Sequence, residues 1–252
     1  MLTIGSLFSG IGGLELGLER AGLGPVKWQV EIDPYCRAVL AKHWPDVERF
    51  DDVRTVGRGN LAPVDLICGG FPCQDISLAG GMAGISGSRS GLWSEYARIV
   101  GEIRPRYVVV ENVAELARSG LDRVLADLAS LGFDAVWFPL AAADLGAPHE
   151  RDRLFVVAHP VQIGCSGAEQ GGIDGGHETR LWNCGAGDAP CPSPSWEAEI
   201  GWAPEPALDR VANGVPNRMD RVGALGNAVV PQVAEVVGWV VRGIHERLTR
   251  CC

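Results

Sequence analysis

Gly69-Gly70-Phe71-Pro72-Cys73-Gln74 follows a short apolar run, residues 64–68, in which Asp65 is the polar exception. That run has the length and composition of a buried strand. A cysteine in the turn just past such a strand lies where open α/β sheets carry their chemistry. Pro72 has a fixed φ and pushes Phe71 towards an extended conformation, so the turn is constrained. The two glycines permit close backbone approach on its other side. Cys73 therefore reads as a presented nucleophile. Taken alone, a cysteine at a strand end is more often a core residue, and the rest of the chain decides between the two.

Upstream, residues 2–8 read as another buried strand. Ser9-Gly10-Ile11-Gly12-Gly13 turns it into a helix running to about Ala21, with Leu14, Leu18 and Ala21 as its apolar stripe. Such a glycine-rich turn lets a ligand approach backbone N–H groups, although the spacing is not the full dinucleotide fingerprint. Residues 27–32 form a second strand ending in Glu31, where a carboxylate can accept from a ribose diol. A helix from Pro34 to about His43 follows. A third unit ends near Asp52, a residue able to meet a purine amino group or simply to cap a turn.

Downstream, residues 75–92 carry Gly80, Gly81, Gly84, Gly87, Gly91 and one cation, Arg89. This long irregular segment beside Cys73 reads as a lid. A helix over 93–103 and a strand over 106–110 lead to Glu111-Asn112-Val113, which puts a second carboxylate at a strand end. A helix over 121–131 precedes strands over 133–140 and 154–159. Arg151 and Arg153 alternate at strand spacing and suit a phosphate or a base carbonyl, or local pairing with Glu150 and Asp152.

Composition bounds the rest. The chain has 252 residues, 46% hydrophobic and 21% charged, which suits one sizeable domain with a small appendage. A formal charge of -9 does not advertise nucleic acid, but a local basic surface can still bind it. Residues 1–8 lack the charged flank of a secretion signal. The most apolar late segment, 228–241, is interrupted by Pro231, Gln232 and Glu235. A cytoplasmic location and no membrane are expected, with reduced cysteines.

The ordered set resembles the DNA cytosine-5 methyltransferases, in their compact bacterial or phage form. Phe8-Ser9-Gly10-Ile11-Gly12 is similar to the family's methyl-donor motif, and Pro72-Cys73-Gln74 to its nucleophile motif. Glu111-Asn112-Val113 is similar to the second catalytic motif, Arg151 and Arg153 to the paired arginines, and Gly226-Asn227-Ala228-Val229 to the last motif. The resemblance covers roughly 1–159 and 210–245. It implies a Rossmann-like α/β methyltransferase fold, a doubly wound, mostly parallel sheet with an antiparallel edge strand. It also implies S-adenosylmethionine as cofactor, held by Phe8, Ser9, Gly10, Gly12, Gly13, Glu31, Asp52, Pro72, Asn227 and Val229. The implied catalytic groups are Cys73, Glu111, Arg151 and Arg153. The family usually has Gln where this chain has His149.

The implied chemistry explains the residue types. Carbon 5 of cytosine is too electron-poor to attack a methyl group unaided. A thiolate adding at carbon 6 makes the ring an enamine-like nucleophile, so Cys73, with an ordinary pKa of about 8.5, must be poised as a thiolate. Glu111 would stabilise charge at N3. A base inside a duplex cannot reach such a pocket and must flip out.

The expected organisation is a catalytic and cofactor-binding domain over 1–159, a Gly/Pro-rich insert over 160–209, and a DNA-facing link with a terminal helix over 210–252. The insert stands where typical members carry a full target-recognition domain. Its one cation is Arg180, against Glu169, Asp174, Glu178 and further acids, so it is a poor phosphate surface. Trp182, Trp196 and Trp202 are expected to pack rather than stack on nucleotides. Cys165, His177, Cys184 and Cys191 fit no tight zinc knuckle, and no metal is expected. Arg210, Arg218 and Arg221, with Arg89, are the expected contacts to double-stranded DNA, bound by a monomer. Two other readings stay open, a cytosine-5 methyltransferase acting on RNA and a non-catalytic cofactor-binding or partner protein.

Overall fold

β1 (Ile4–Leu7) is buried at every position and sits near the middle of a seven-stranded sheet. A computed structural model describes residues 1–72, 91–161 and 218–250, with only the backbone for 218–222. Cys73, Arg89, Arg210, the expected lid up to residue 90 and nearly all of the insert lie outside the described residues.

The chain continues as α1 (Gly13–Arg20), β2 (Val26–Val30), α2 (Pro34–His43), β3 (Glu48–Phe50) and β4 (Leu66–Gly69). It resumes with α3 (Gly91–Ile103), β5 (Tyr107–Val113), α4 (Leu121–Ser130), β6 (Phe133–Ala141) and β7 (Asp152–Pro160). α5 (Arg218–Asn227) and α6 (Pro231–Arg250) complete the described chain. The strand order is β3-β2-β1-β4-β5-β7-β6. All pairs are parallel except those of β7, which runs against both β5 and β6. The antiparallel strand thus stands one place in from the edge.

The central strands are apolar because both faces are covered. On one face Trp93, Tyr96 and Ile99 of α3 join Val124 and Leu128 of α4. On the other Leu14 and Leu18 of α1 meet Val233, Val237 and Val241 of α6. The two helices approach closely because small residues line their seam: a Cβ on Gly17 would strike Ala234, and one on Gly238 would strike Ala21. The span 223–250 is apolar and long enough to cross a membrane on composition. Its apolar side, however, is buried core, with Val237 and Val241 fully enclosed. α2 starts as its sequence dictates, with Asp33 accepting from Tyr35 N and Cys36 N and Pro34 in the first turn.

Three sequence expectations are adjusted. α3 begins at Gly91, two residues early, so the expected lid gives up its last two residues to the helix. β5 does not stop at Val110 but runs to Val113, because β7 pairs with it as far as Arg153 opposite Val113. Glu111 and Asn112 therefore sit inside the ladder. Arg151 lies before β7 with φ +42, so it does not alternate with Arg153 along a strand.

The sheet order reverses between β1 and β4. Loops leaving the ends of these neighbours run to opposite sides and open a crevice, the usual ligand site of such sheets. The glycine turn after β1 and the stretch 70–72 after β4 both leave at that point.

Candidate active site

Phe8 closes β1 with φ +55, a conformation that costs a non-glycine residue about 1–3 kcal/mol. Its neighbours hold it there. Ser9 N donates to Val30 O of β2 at 3.1 Å, and Gly10 N donates to Glu31 Oε2 at 2.7 Å. Glu31 Oε1 accepts from Asp33 N at 2.8 Å. Glu31 is thus a staple between the two loops as well as a carboxylate at the crevice. A side chain on Gly10 would meet nothing within 4 Å, so the space over the turn is open to a ligand. Gly13 differs: a Cβ there would run into the Val229 carbonyl. The first and last motifs are therefore in direct contact. Asp52 Oδ1 accepts from Arg54 N and Nε, both at 2.9 Å, and caps the short turn Val53–Thr55. Those bonds hold its pKa below the usual value.

Beside this turn, β5 and β7 bring Glu111 and Arg153 together. Gly69 pairs with Val110, so Gly70 stands against Glu111, and any side chain at Gly70 would strike Glu111 Oε2. Glu111 is buried and its Oε1 lies 2.9 Å from Arg153 Nε. Burial pushes its pKa up, and Arg153 and Arg151 only partly oppose that. Such a carboxyl keeps a proton more readily than a solvated one. Asn112 Nδ2 donates to Phe71 O at 3.2 Å, which anchors the backbone two residues before Cys73. The Arg151 guanidinium turns to the carbonyls of Gly226 and Ala228, tying the last motif to the same corner. Pro72 is exposed.

A small cavity of about 40 Å³ lies between these groups, lined by Phe8, Ser9, Gly10, Gly70, Glu111 and Asn227 among others. It joins the donor turn to Glu111. A larger one of about 560 Å³ lies behind the turn, against Trp44, His149 and Leu225. It shares Gly12, Gly13 and Val229 with the proposed donor residues but includes neither Glu31 nor Glu111. The smaller space has the carboxyl groups of Glu15 and Glu111 in its wall, whereas Arg151 lines the larger one.

The sequence reading missed two residues. Asn112 was only the middle of a motif, and its anchoring bond has no signature short of knowing that β4 and β5 are neighbours. Glu15 lies in the first turn of α1, fully buried in the wall of the small cavity. Among the described residues no group of three metal-ligating side chains is present.

The sequence profile described as C-5 cytosine-specific DNA methylase matches residues 2–167. The chain is 37% identical over 165 residues to Type II methyltransferase M2.BsuMI of Bacillus subtilis, covering 62% of this chain and 42% of that protein. It is 33% identical over 155 residues to Type II methyltransferase M.NgoBI of Neisseria gonorrhoeae, covering 60% and 48%. A solved structure of a prophage-encoded E. coli protein, assigned as a DNA modification methyltransferase, aligns with a TM-score of 0.53. Its identity is 32%, over 64% of this chain and 47% of that one. The chain thus spans less than half the length of these relatives.

Proposed function

The chain belongs to the C-5 cytosine-specific DNA methylase family, and on that premise we propose that it transfers a methyl group from S-adenosylmethionine to carbon 5 of cytosine in DNA. The observation that carries this reading is the meeting of Glu111, its partner Arg153 and the anchored Phe71 beside an open glycine turn. Substrate, cofactor and partner are the parts proposed.

The residues present fit the cofactor. Gly10 leaves open space, Glu31 offers carboxylate lone pairs to a diol, and a buried carboxyl faces the cavity between turn and Glu111. Phe8, Ser9, Gly10, Gly12, Gly13, Glu31, Asp52, Pro72, Asn227 and Val229 would hold it. When bound, S-adenosylmethionine supplies an electrophilic methyl on a sulfonium.

The chain's own groups would do the rest. Cys73 adds as a thiolate to carbon 6 of a flipped cytosine, and the ring's new electron density is delivered at carbon 5. Glu111 holds a proton at N3 and stabilises the charge that develops there. Arg153 fixes Glu111 through Nε and would offer its remaining guanidinium N–H groups to the base carbonyl. Arg151 holds the last motif against the site. Loss of the carbon-5 proton and expulsion of the thiolate return Cys73 to its starting state. DNA contact is assigned to Arg89, Arg210, Arg218 and Arg221. The test is transfer of labelled methyl groups to duplex DNA. Cys73→Ala should abolish transfer while leaving cofactor binding nearly intact. Transfer at an undiminished rate in that variant would end the mechanism.

A further inference from the structure

Glu15 is completely buried, yet neither carboxylate oxygen has a hydrogen-bond partner in good geometry. It lines the small cavity together with Ser6, Ser9, Gly10, Gly70, Glu111 and Asn227. Ser9 Oγ is spent on Ser6 Oγ at 2.9 Å. The hydroxyls of Ser6 and Ser9 and the amide of Glu15 itself favour its ionisation. Burial and Glu19 oppose it. Cys68 of β4 lies beside it, Glu111 of β5 stands at the far end of the cavity, and α6 brings Glu235 to the level of Gly17. No cation is among the groups that act on it. A buried carboxyl without a partner is a burden on the fold, so a ligand that supplies the missing charge gains from it.

Resting on the donor assignment above, we propose that Glu15 is the group that selects the cationic methyl donor over its neutral product. The cavity is too small for a nucleoside but large enough for a methyl or ammonium-sized group. It opens onto the glycine turn on one side and Glu111 on the other. A sulfonium bound there stabilises ionised Glu15. Once the methyl has left, the thioether product no longer does, and the carboxyl takes its proton back. Ionisation of Glu15 and donor affinity must strengthen each other by the same factor.

The free Glu15 titrates at about 7, so the sign follows. Below that value the donor must expel a proton from Glu15 to gain its charge. Above it, the carboxylate is already present. The ratio of donor to product affinity should therefore rise from pH 6 to pH 8 and then level off. One unit of coupling makes the change about tenfold over the whole titration, of which about fivefold falls between pH 6 and pH 8. The α-ammonium common to both ligands cancels in the ratio.

Calorimetric titration of the full chain with S-adenosylmethionine and S-adenosylhomocysteine tests this, in two buffers of different ionisation enthalpy. The wild type should release protons near pH 6.5 with the donor and fewer with the product. An analogue carrying an amine in place of the sulfonium should behave as the donor does. Glu15→Gln should flatten the ratio, Glu15→Asp should keep its slope, and Glu111→Gln should leave it in place. A ratio independent of pH in the wild type overturns the proposal and leaves a structural carboxyl beside water. So does a slope that survives in Glu15→Gln or disappears only in Glu111→Gln. If neither nucleoside binds the wild type at any pH, the donor assignment falls and this inference with it.

Discussion

Glu111 and Asn112 occupy consecutive positions on one strand and do different work. Glu111→Gln keeps the size of the side chain but removes the proton-holding group and leaves Arg153 without its ionic partner. The rate of methyl transfer should fall by about 3–4 kcal/mol of transition-state stabilisation, read in single-turnover kinetics with the fold checked by circular dichroism. A normal rate would make Glu111 a structural strand residue. Asn112→Asp replaces the donor to Phe71 O by an acceptor. It should cost about 1–3 kcal/mol in thermal unfolding and slow transfer without changing cofactor affinity. An unaffected transfer rate would remove the anchoring role. Glu111 was legible because a carboxylate at the end of an apolar run stands out. Asn112 was not, since its partner Phe71 lies in the loop after β4, 41 positions away.

α1 shows why an element can be found in sequence while its surroundings stay hidden. The stripe Leu14, Leu18, Ala21 marks the helix, and on an ordinary surface helix Glu15 would face solvent. Here α6 covers the second side, so Gly13, Leu14, Glu15, Gly17 and Leu18 are all buried. That packing has a consequence for stability. Burial lifts the Glu15 pKa from 4.5 to about 7, so the folded state holds a proton that the unfolded chain has lost. The stability this gives is complete below 4.5, declines as pH rises to about 7 and is flat above. Glu15→Gln should therefore be more stable than the wild type at pH 8, by up to about 3 kcal/mol, with the difference vanishing towards pH 4. Thermal melts of both proteins at the two pH values measure it, and a difference independent of pH would mean that Glu15 ionises normally. Gly13→Ala probes the neighbouring contact. The added Cβ collides with the Val229 carbonyl, and the shift should cost about 1–3 kcal/mol and weaken cofactor binding.

At the scale of the whole molecule, the alternation of strands and helices made the doubly wound sheet readable. The crevice followed from it once β1 and β4 were neighbours. Strand ends were read short at β5 and β7 because antiparallel pairing, which no local pattern announces, extends both. The chain carries a net charge of -9, and the proposal gives DNA contact to a few of its arginines. Salt dependence tests them: log affinity should fall with log salt by about 0.9 per neutralised phosphate, and losing Arg218 or Arg221 should flatten that slope by about one unit each. Replacing residues 166–190 by a Gly/Ser linker should leave duplex affinity nearly unchanged. An unchanged slope in the arginine variants, with binding lost on that deletion, would assign recognition to the insert. The central claim is cytosine-5 methylation of DNA through Cys73. Bisulfite sequencing of DNA from cells expressing the chain tests it most directly. The account predicts unconverted cytosines recurring in one short sequence context, and none in cells expressing Cys73→Ala. Complete conversion with the wild type, or protection that persists in the variant, would contradict it.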